Sequence, residues 1–155
     1  MLETDILVLP GPRLLNPLFA APFDGSERGR RAKSAIRVLV VEDDFLVAGE
    51  LEHRLSEAGF EVIGPAATAV DAIRLALETK PALVVMDIRL IGARDGIDAA
   101  IDIYRQAGIR SIFATAHSDA YTMRRGEVAK PLDWVQKPYN PAALVARIKT
   151  LAGKT

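Results

Sequence analysis

The sequence predicts an α/β fold: a five-stranded parallel sheet, doubly wound, with helices on both faces. Five short apolar runs typical of buried strands alternate with stretches whose apolar residues recur at helical spacing. Glycine, proline and helix-capping residues separate the two kinds of segment. Because each strand is followed by a helix, consecutive strands are joined by crossovers, which favours parallel pairing and a sheet covered on both faces.

Apolar spacing and helix stops define the first two strand–helix units. An apolar run at residues 36–41 predicts the first strand, and a helix follows near residues 44–58 and ends at a glycine. Residues 60–66 form the second predicted strand. The next helix begins at Thr68, which forms a start similar to a capping box with Asp71. The side chains expected to be buried in these two helices are Val47, Leu51, Leu55, Val70, Ile73 and Leu77.

Three further units complete the predicted sheet. The third strand at residues 82–87 and the fourth at 110–115 flank a helix at 96–107, which also ends at a glycine. A shorter helix near residues 119–128 precedes the fifth strand at 132–136. An asparagine caps the last helix, and the proline after it occupies the first helical position. The side chains expected to be buried in these helices are Ile97, Ile101, Tyr104, Leu144, Ile148 and Leu151.

Composition excludes several classes of function. The chain has 155 residues, half of them hydrophobic, which is enough for one folded domain. It has no cysteine, which excludes disulfides, thiolate metal sites and cysteine nucleophiles. Basic and acidic residues number 20 each, so no net charge favours nucleic acid or an anionic membrane. Because no apolar run approaches the roughly 20 residues of a membrane span, and the N-terminus lacks the features of a signal peptide, we expect a cytoplasmic protein.

Residues 1–35 differ from the rest of the chain. Prolines recur between residues 10 and 22, and a Gly/Arg/Ser-rich stretch follows at 25–33, so neither helix nor strand is expected. We interpret residues 1–35 as a flexible N-terminal extension, with a docking arm as the alternative. Residues 36–152 form the predicted folded domain. The apolar contacts of such an arm would be Leu14, Leu15, Leu18 and Phe19.

Polar groups follow or end four of the predicted strands. Glu42 and Asp43 follow the first strand, Asp87 ends the third, Thr115 ends the fourth and Lys137 follows the fifth. The carboxyl ends of parallel strands meet at one crevice, so these groups are expected to converge there. Clustered carboxylates repel one another unless a cation compensates, and Mg²⁺ prefers carboxylate oxygens. The pattern predicts a metal-assisted phosphoryl-transfer site in which Asp87 is the nucleophile, while Thr115 and Lys137 contact the phosphoryl oxygens.

These residues, in this order and at this spacing, resemble the receiver domain of bacterial two-component response regulators. The resemblance covers residues 36–152 and implies a flavodoxin-like sheet with the strand order 2-1-3-4-5. It implies that Asp43, Asp87 and the backbone carbonyl of Arg89 bind Mg²⁺ directly, and that Glu42 acts largely through water.

The resemblance also implies a switch near the fourth and fifth strands. Thr115 takes the place of the family's switch hydroxyl, and Lys137-Pro138-Tyr139 is similar to its Lys-Pro-aromatic signature, which implies a cis peptide bond before the proline. Trp134 stands where the family often has a Tyr or Phe that swings inward on phosphorylation. The indole is larger, so inward packing is expected to be disfavoured, and a surface position remains the alternative. Asp44 is additional to the family's acidic pair and is expected to cap the first helix.

The sequence is therefore interpreted as a single-domain response regulator. A histidine kinase would donate a phosphoryl group to Asp87 in the presence of Mg²⁺, with a histidine phosphotransfer protein as a further or alternative partner, so we expect a phospho-acceptor and not a turnover enzyme. Only a few residues follow the last predicted helix, so no DNA-binding or enzymatic output domain is expected. Output would then be a contact with a downstream protein or onward phosphotransfer, and homodimerisation stays open.

Two other functions stay open. A pseudo-receiver would be a phosphorylation-independent interaction module, and the loop from Asp87 to Asp95, one residue longer than the family's common form, keeps this alternative open. An aspartyl-phosphate phosphatase of the haloacid dehalogenase type also uses a strand-end aspartate and Mg²⁺. It needs a second aspartate two residues after the nucleophile, where Arg89 stands in this chain.

Overall fold

The computed structural model describes residues 34–117 and 119–154, so nearly all of the predicted N-terminal extension, including its candidate docking arm, lies outside the described residues. Within the described part, strands and helices alternate as the sequence predicts. In chain order they are β1 Arg37–Val41, α1 Phe45–Glu57, β2 Glu61–Ala66, α2 Ala69–Thr79, β3 Leu83–Asp87, α3 Gly96–Ala107, β4 Ser111–Thr115, α4 Ala120–Glu127, β5 Asp133–Gln136 and α5 Pro141–Ala152.

The strands form one sheet of five in the order β2-β1-β3-β4-β5, and every neighbouring pair is parallel. This confirms the predicted fold class and strand order. The register places Asp87 of β3 beside Ala114 of β4, and Thr115 beside Gln136 of β5. The polar strand ends therefore meet at the same edge of the sheet. None of the described helices is long and apolar enough to cross a membrane.

The sheet separates two apolar cores, and β3 contributes to both. Val84 and Met86 face the core formed with α2 and α3, while Leu83 and Val85 face the core formed with α1 and α5. Alternate side chains of a strand point to opposite faces, so a strand buried on both sides must be apolar at every position. This explains the continuous apolar run that ends at Asp87.

The buried faces of α1 and α2 differ from the prediction at two positions. Val47 is 38% exposed and Val70 is 68% exposed, so the predicted burial of both was wrong. Alanines occupy the buried face instead, because a small side chain lets the helix axis approach the sheet more closely. The buried residues of these two helices are Ala48, Leu51, Leu55, Ala69, Ala72 and Ala76. Among the other predicted core positions, Ile97, Leu144 and Ile148 are buried, and Ile73, Leu77, Ile101, Tyr104 and Leu151 are half-buried.

Local signals near the helix starts agree with the structure. The Asp44 carboxylate accepts hydrogen bonds from the backbone N–H groups of Leu46 and Val47, at 2.9 and 3.2 Å, and so caps α1 as predicted. Thr68 and Asn140 cap α2 and α5 in the same way. The peptide bond between Lys137 and Pro138 is cis, as the resemblance implied, and a second cis bond joins Gly64 to Pro65.

Trp134 of β5 packs against the core, contrary to the expectation that its size would disfavour inward packing. Its ring lies 4.5 Å, centroid to centroid, from that of Phe113 on β4. A Cβ built on Gly126 of α4 would lie only 2.6 Å from the Cη2 and Cζ2 atoms of the indole. The indole therefore fits because the helix residue above it has no side chain.

We expect the substitution Gly126→Ala to destabilise the protein by about 1–2 kcal/mol, because the cost of overpacking exceeds the gain in helix propensity. Gly49→Ala in α1 is the matched control, since no atom lies within 4 Å of a Cβ at Gly49. That change should stabilise the helix by up to about 1 kcal/mol. Urea unfolding measures both variants, and equal stability of the two would contradict the packing described for Trp134.

Candidate functional site

Three carboxylates meet at the carboxyl edge of the sheet. Glu42 and Asp43 directly follow β1, and Asp87 is the last residue of the neighbouring strand β3. One carboxylate oxygen from each of the three lies within 4.8 Å of the others. Glu42 and Asp87 are each only 6% exposed, whereas Asp43 is exposed. The sheet edge therefore holds two buried carboxyl groups and one exposed carboxyl group next to one another.

Lys137 enters this cluster from the end of β5. Its Nζ lies 2.5 Å from Oε2 of Glu42 and 3.1 Å from Oδ2 of Asp87. Its backbone N–H donates to the carbonyl oxygen of Thr115 at 2.8 Å, which ties the start of the following turn to the end of β4. The structure therefore brings together four of the predicted site residues, Glu42, Asp43, Asp87 and Lys137.

The charges in this cluster are not balanced. Burial raises the pKa of Glu42, and the negative charge of Asp87 adds to that effect, so together they outweigh the hydrogen bond from Lys137. Burial alone would lower the pKa of Lys137, but the hydrogen bond to Glu42 and the attraction of Asp87 raise it above its ordinary value. Lys137 is therefore held protonated, and one lysine cannot neutralise three carboxylates.

Thr115 is buried at the end of β4, but its hydroxyl is bonded within its own loop. The Oγ donates to the carbonyl oxygen of His117 at 2.7 Å and accepts from the N–H of His117 at 3.1 Å. His117 itself is exposed. The predicted switch hydroxyl thus lies on the strand next to Asp87 and holds the first residues of the β4–α4 loop.

The loop after Asp87 is anchored at both ends. The N–H of Arg89 donates to Oδ1 of Asp87 at 3.3 Å, and the N–H of Ile91 donates to the carbonyl oxygen of Ala67 at 3.2 Å. At the far end, the N–H of Gly96 donates to the carbonyl oxygen of Ile88 at 2.8 Å. A Cβ at Gly96 would overlap the carbonyl oxygen of Asp87, so α3 can begin this close to the end of β3 only with glycine. Metal ligation by the Arg89 carbonyl stays a prediction.

A cavity of about 370 Å³ opens beside Lys137, and no feature of the sequence predicts it. Val47 and Leu51 of α1 line one side, and Pro138 and Tyr139 line the other. Burial raises the pKa of Tyr139. The partly exposed position of Val47 follows from this arrangement, because its side chain lines the cavity rather than the core.

The donor set at the sheet edge fits a hard divalent cation. Carboxylate oxygens are the ligands that Mg²⁺ prefers, and Mg²⁺ needs only a few protein ligands because it keeps several waters. The uncompensated negative charge of Glu42, Asp43 and Asp87 gives a cation an electrostatic reason to bind. These three residues could therefore hold Mg²⁺.

Comparison with known proteins agrees with this fold. The profile of the response regulator receiver domain matches residues 38–149. The phyllosphere-induced regulator PhyR of Methylorubrum extorquens is 34% identical over 126 residues, which cover 81% of this chain and 46% of PhyR. The transcriptional regulatory protein PdtaR of Mycobacterium tuberculosis is 34% identical over 113 residues, which cover 73% of this chain and 55% of PdtaR. This chain spans about half the length of these relatives.

Solved structures share the same architecture. The receiver domain of a modulated diguanylate cyclase from Desulfovibrio desulfuricans has a TM-score of 0.71 at 30% identity, over 77% of this chain and 95% of that one. A CheY-like receiver domain protein from Methanospirillum hungatei has a TM-score of 0.71 at 25% identity, over 78% and 96% of the two chains. The profile match, the relatives and these structures together establish that this chain belongs to the response regulator receiver domain family of two-component signalling proteins.

Proposed function

We propose that this protein is a response regulator whose Asp87 accepts a phosphoryl group from a histidine kinase, with a histidine phosphotransfer protein as a further or alternative partner. The observation that carries the proposal is the position of the Asp87 carboxylate, which is buried at the strand end, within 4.8 Å of two further carboxylates and in contact with Lys137. In the transfer, a carboxylate oxygen of Asp87 forms a bond to phosphorus as the bond from phosphorus to the donor histidine breaks. The product is an acyl phosphate.

The neighbouring residues have separate roles in this proposal. Mg²⁺, held by Glu42, Asp43, Asp87 and the backbone carbonyl of Arg89, would neutralise charge on the phosphoryl oxygens. Lys137 is already ion-paired with Asp87, so a small movement of its flexible side chain brings the ammonium group to a phosphoryl oxygen.

Thr115 links phosphorylation to the surface in this proposal. Its hydroxyl now bonds to the backbone of His117, and a phosphoryl oxygen on the neighbouring strand end would compete for that hydroxyl. Loss of the bond to His117 would free the beginning of the β4–α4 loop and shift the population of α4 positions. The output in this proposal is a contact with a downstream protein or onward phosphotransfer. In a homodimer, the same shift of α4 would change the contact between two copies of the chain.

The two alternatives make different demands on the site. A pseudo-receiver does not need the cluster of Glu42, Asp43, Asp87 and Lys137, which is complete here. A phosphatase of the haloacid dehalogenase type needs an acid two residues after the nucleophile, and Arg89 is exposed at that position. The pseudo-receiver therefore leaves the cluster unexplained, and the phosphatase would lack the second acid that it needs.

Incubation with Mg²⁺ and acetyl phosphate should add one phosphoryl group to the intact protein, and mass spectrometry measures that adduct. Asp87→Asn should abolish the adduct because it removes the nucleophilic oxygen, while Asp102→Asn on α3 should keep it. Steady release of inorganic phosphate from diverse esters would point to the phosphatase instead. A wild-type protein without any adduct would point to the pseudo-receiver.

Mg²⁺ should raise the melting temperature of the wild-type protein, because a ligand that binds only the folded state stabilises that state. At a ligand concentration of one hundred times the Kd, the free energy of unfolding rises by about 2.7 kcal/mol. Asp43→Asn should remove most of that increase. Asp44→Asn is the matched control, because asparagine can still cap α1 and Asp44 lies outside the carboxylate cluster. An equal response of all three proteins in a thermal melt would refute the assignment of this cluster as the metal site.

Lys137→Met should lower the free energy of unfolding by roughly 1–3 kcal/mol near neutral pH without Mg²⁺, because Glu42 and Asp87 lose the charge that compensates them. The raised pKa of Lys137 means that its attraction to the carboxylates persists up to the ordinary lysine pKa and is lost as the pH rises through the raised value.

At acid pH the difference between Lys137→Met and wild type should shrink, because Glu42, whose pKa is raised, takes up a proton and no longer needs the lysine. Urea unfolding at several pH values measures this difference. Lys149→Met, at an exposed position of α5, is the control and should stay within about 0.5 kcal/mol of wild type. A pH-independent difference for Lys137→Met would contradict the ion-pair explanation.

A further inference from the structure

One ion-pair cluster joins α4 to the beginning of α3. The guanidinium of Arg125 on α4 donates to both carboxylate oxygens of Asp95, at 2.8 and 3.2 Å, and to Oδ1 of Asp98 at 3.1 Å. Burial alone would raise the pKa of Asp95. Two hydrogen bonds, one from the guanidinium of Arg125 and one from the backbone N–H of Asp98, lower that pKa below its ordinary value. A two-pronged guanidinium–carboxylate contact fixes geometry better than a single-point ion pair.

The two residues that Arg125 binds, Asp95 and Asp98, lie at the start of α3, close to the backbone of Asp87. Asp95 is the N-cap of α3 and forms a reciprocal capping box with Asp98. The next residue, Gly96, packs so closely on the backbone of Asp87 that a Cβ there would overlap the Asp87 carbonyl oxygen. A displacement of the acceptor strand end or of its loop therefore moves the carboxylates that Arg125 binds.

The helix α4 also packs on Trp134, the only tryptophan of the chain. Gly126, the neighbour of Arg125, lies directly against the indole of Trp134, and that indole in turn packs on Phe113 of β4. The indole thus already packs beneath α4 in this structure, without an inward swing of the kind that the resemblance implies. The ion-pair cluster provides a direct connection between the acceptor loop and α4 that does not need such a swing.

We propose that Arg125 is a positioning residue that couples the acceptor loop to α4, so that phosphorylation of Asp87 displaces α4 through the contact of Arg125 with Asp95 and Asp98. This inference rests on the proposed function, because it concerns the response to phosphorylation of Asp87. Movement of α4 changes the packing of Gly126 on Trp134, so the fluorescence of Trp134 reports the coupling.

The test uses the full chain and two readouts, the mass of the acyl-phosphate adduct and the change in Trp134 emission after addition of acetyl phosphate and Mg²⁺. Arg125→Gln removes the charge and the two-pronged contact, whereas Arg125→Lys keeps only the charge. Arg124→Gln is the matched control. Arg124 is the exposed neighbour of Arg125 on the same helix, with no ion pair among the described residues.

Wild type and Arg124→Gln should form the adduct and change their emission. Arg125→Gln should form a comparable amount of adduct, but its emission change should fall by at least about fivefold, the lower end of typical coupling between two sites. Arg125→Lys should give an intermediate change, a partial rescue that a purely structural role would not produce. Thermal melts show whether each variant is folded. If Arg125→Gln does not fold, the emission changes of Arg125→Lys and Asp98→Asn, compared with that of wild type, test the proposal instead.

The outcomes separate the inference from the proposed function. A wild-type protein without any adduct would overturn both. An adduct without an emission change in wild type would overturn the inference alone, and so would an undiminished emission change in Arg125→Gln. An equal loss of the emission change in Arg124→Gln would also overturn it, because the effect would then follow from any lost charge on α4.

Discussion

The contact of Lys137 with Glu42 and Asp87 is the interaction on which the site depends. Parallel pairing of β1 and β3 forces carboxylates to one edge of the sheet, where two of them are buried. Lys137 compensates part of that charge, and its backbone is held in place by a hydrogen bond to Thr115. The remaining negative charge makes the edge receptive to a divalent cation. The same negative charge would repel a phosphoryl group unless a cation is bound.

Small residues determine how closely the helices approach the sheet and the site. Three alanines form the buried face of α2, so this helix lies near the sheet while larger apolar side chains are displaced to its flanks. Gly96 allows α3 to begin against the carbonyl of Asp87, and Gly126 allows α4 to lie on Trp134. Because a protein interior is close-packed, each of these contacts transmits a displacement rather than absorbing it.

Two connections lead from the carboxylate cluster towards α4. One passes through Thr115, whose hydroxyl holds His117 at the beginning of the β4–α4 loop. The other passes through Asp95 at the start of α3 and the guanidinium of Arg125. The first connection acts on the loop before α4 and the second acts on the helix itself.

Several features of this protein are determined by the sequence alone. The alternation of strands and helices, the cap at Asp44 and the convergence of Asp87 with Lys137 could all be predicted. The spacing of the apolar residues predicts each strand and helix, and capping residues mark the helix starts. In a parallel sheet the carboxyl ends of the strands lie at the same edge, so the order of the elements predicts the convergence.

Tertiary structure alone decided other features. Arg125 and Asp95 are 30 residues apart, and their contact depends on how α4 and α3 pack, which local rules do not specify. The packing of Trp134 depends on the glycine at position 126, which belongs to a different element, α4, but is adjacent to the indole in space. The exposure of Val47 and Val70 depends on the rotation of each helix about its axis. The spacing of the apolar residues restricts the buried face of each helix to a broad stripe. The close packing of small side chains against the sheet then determines the rotation of the helix about its axis.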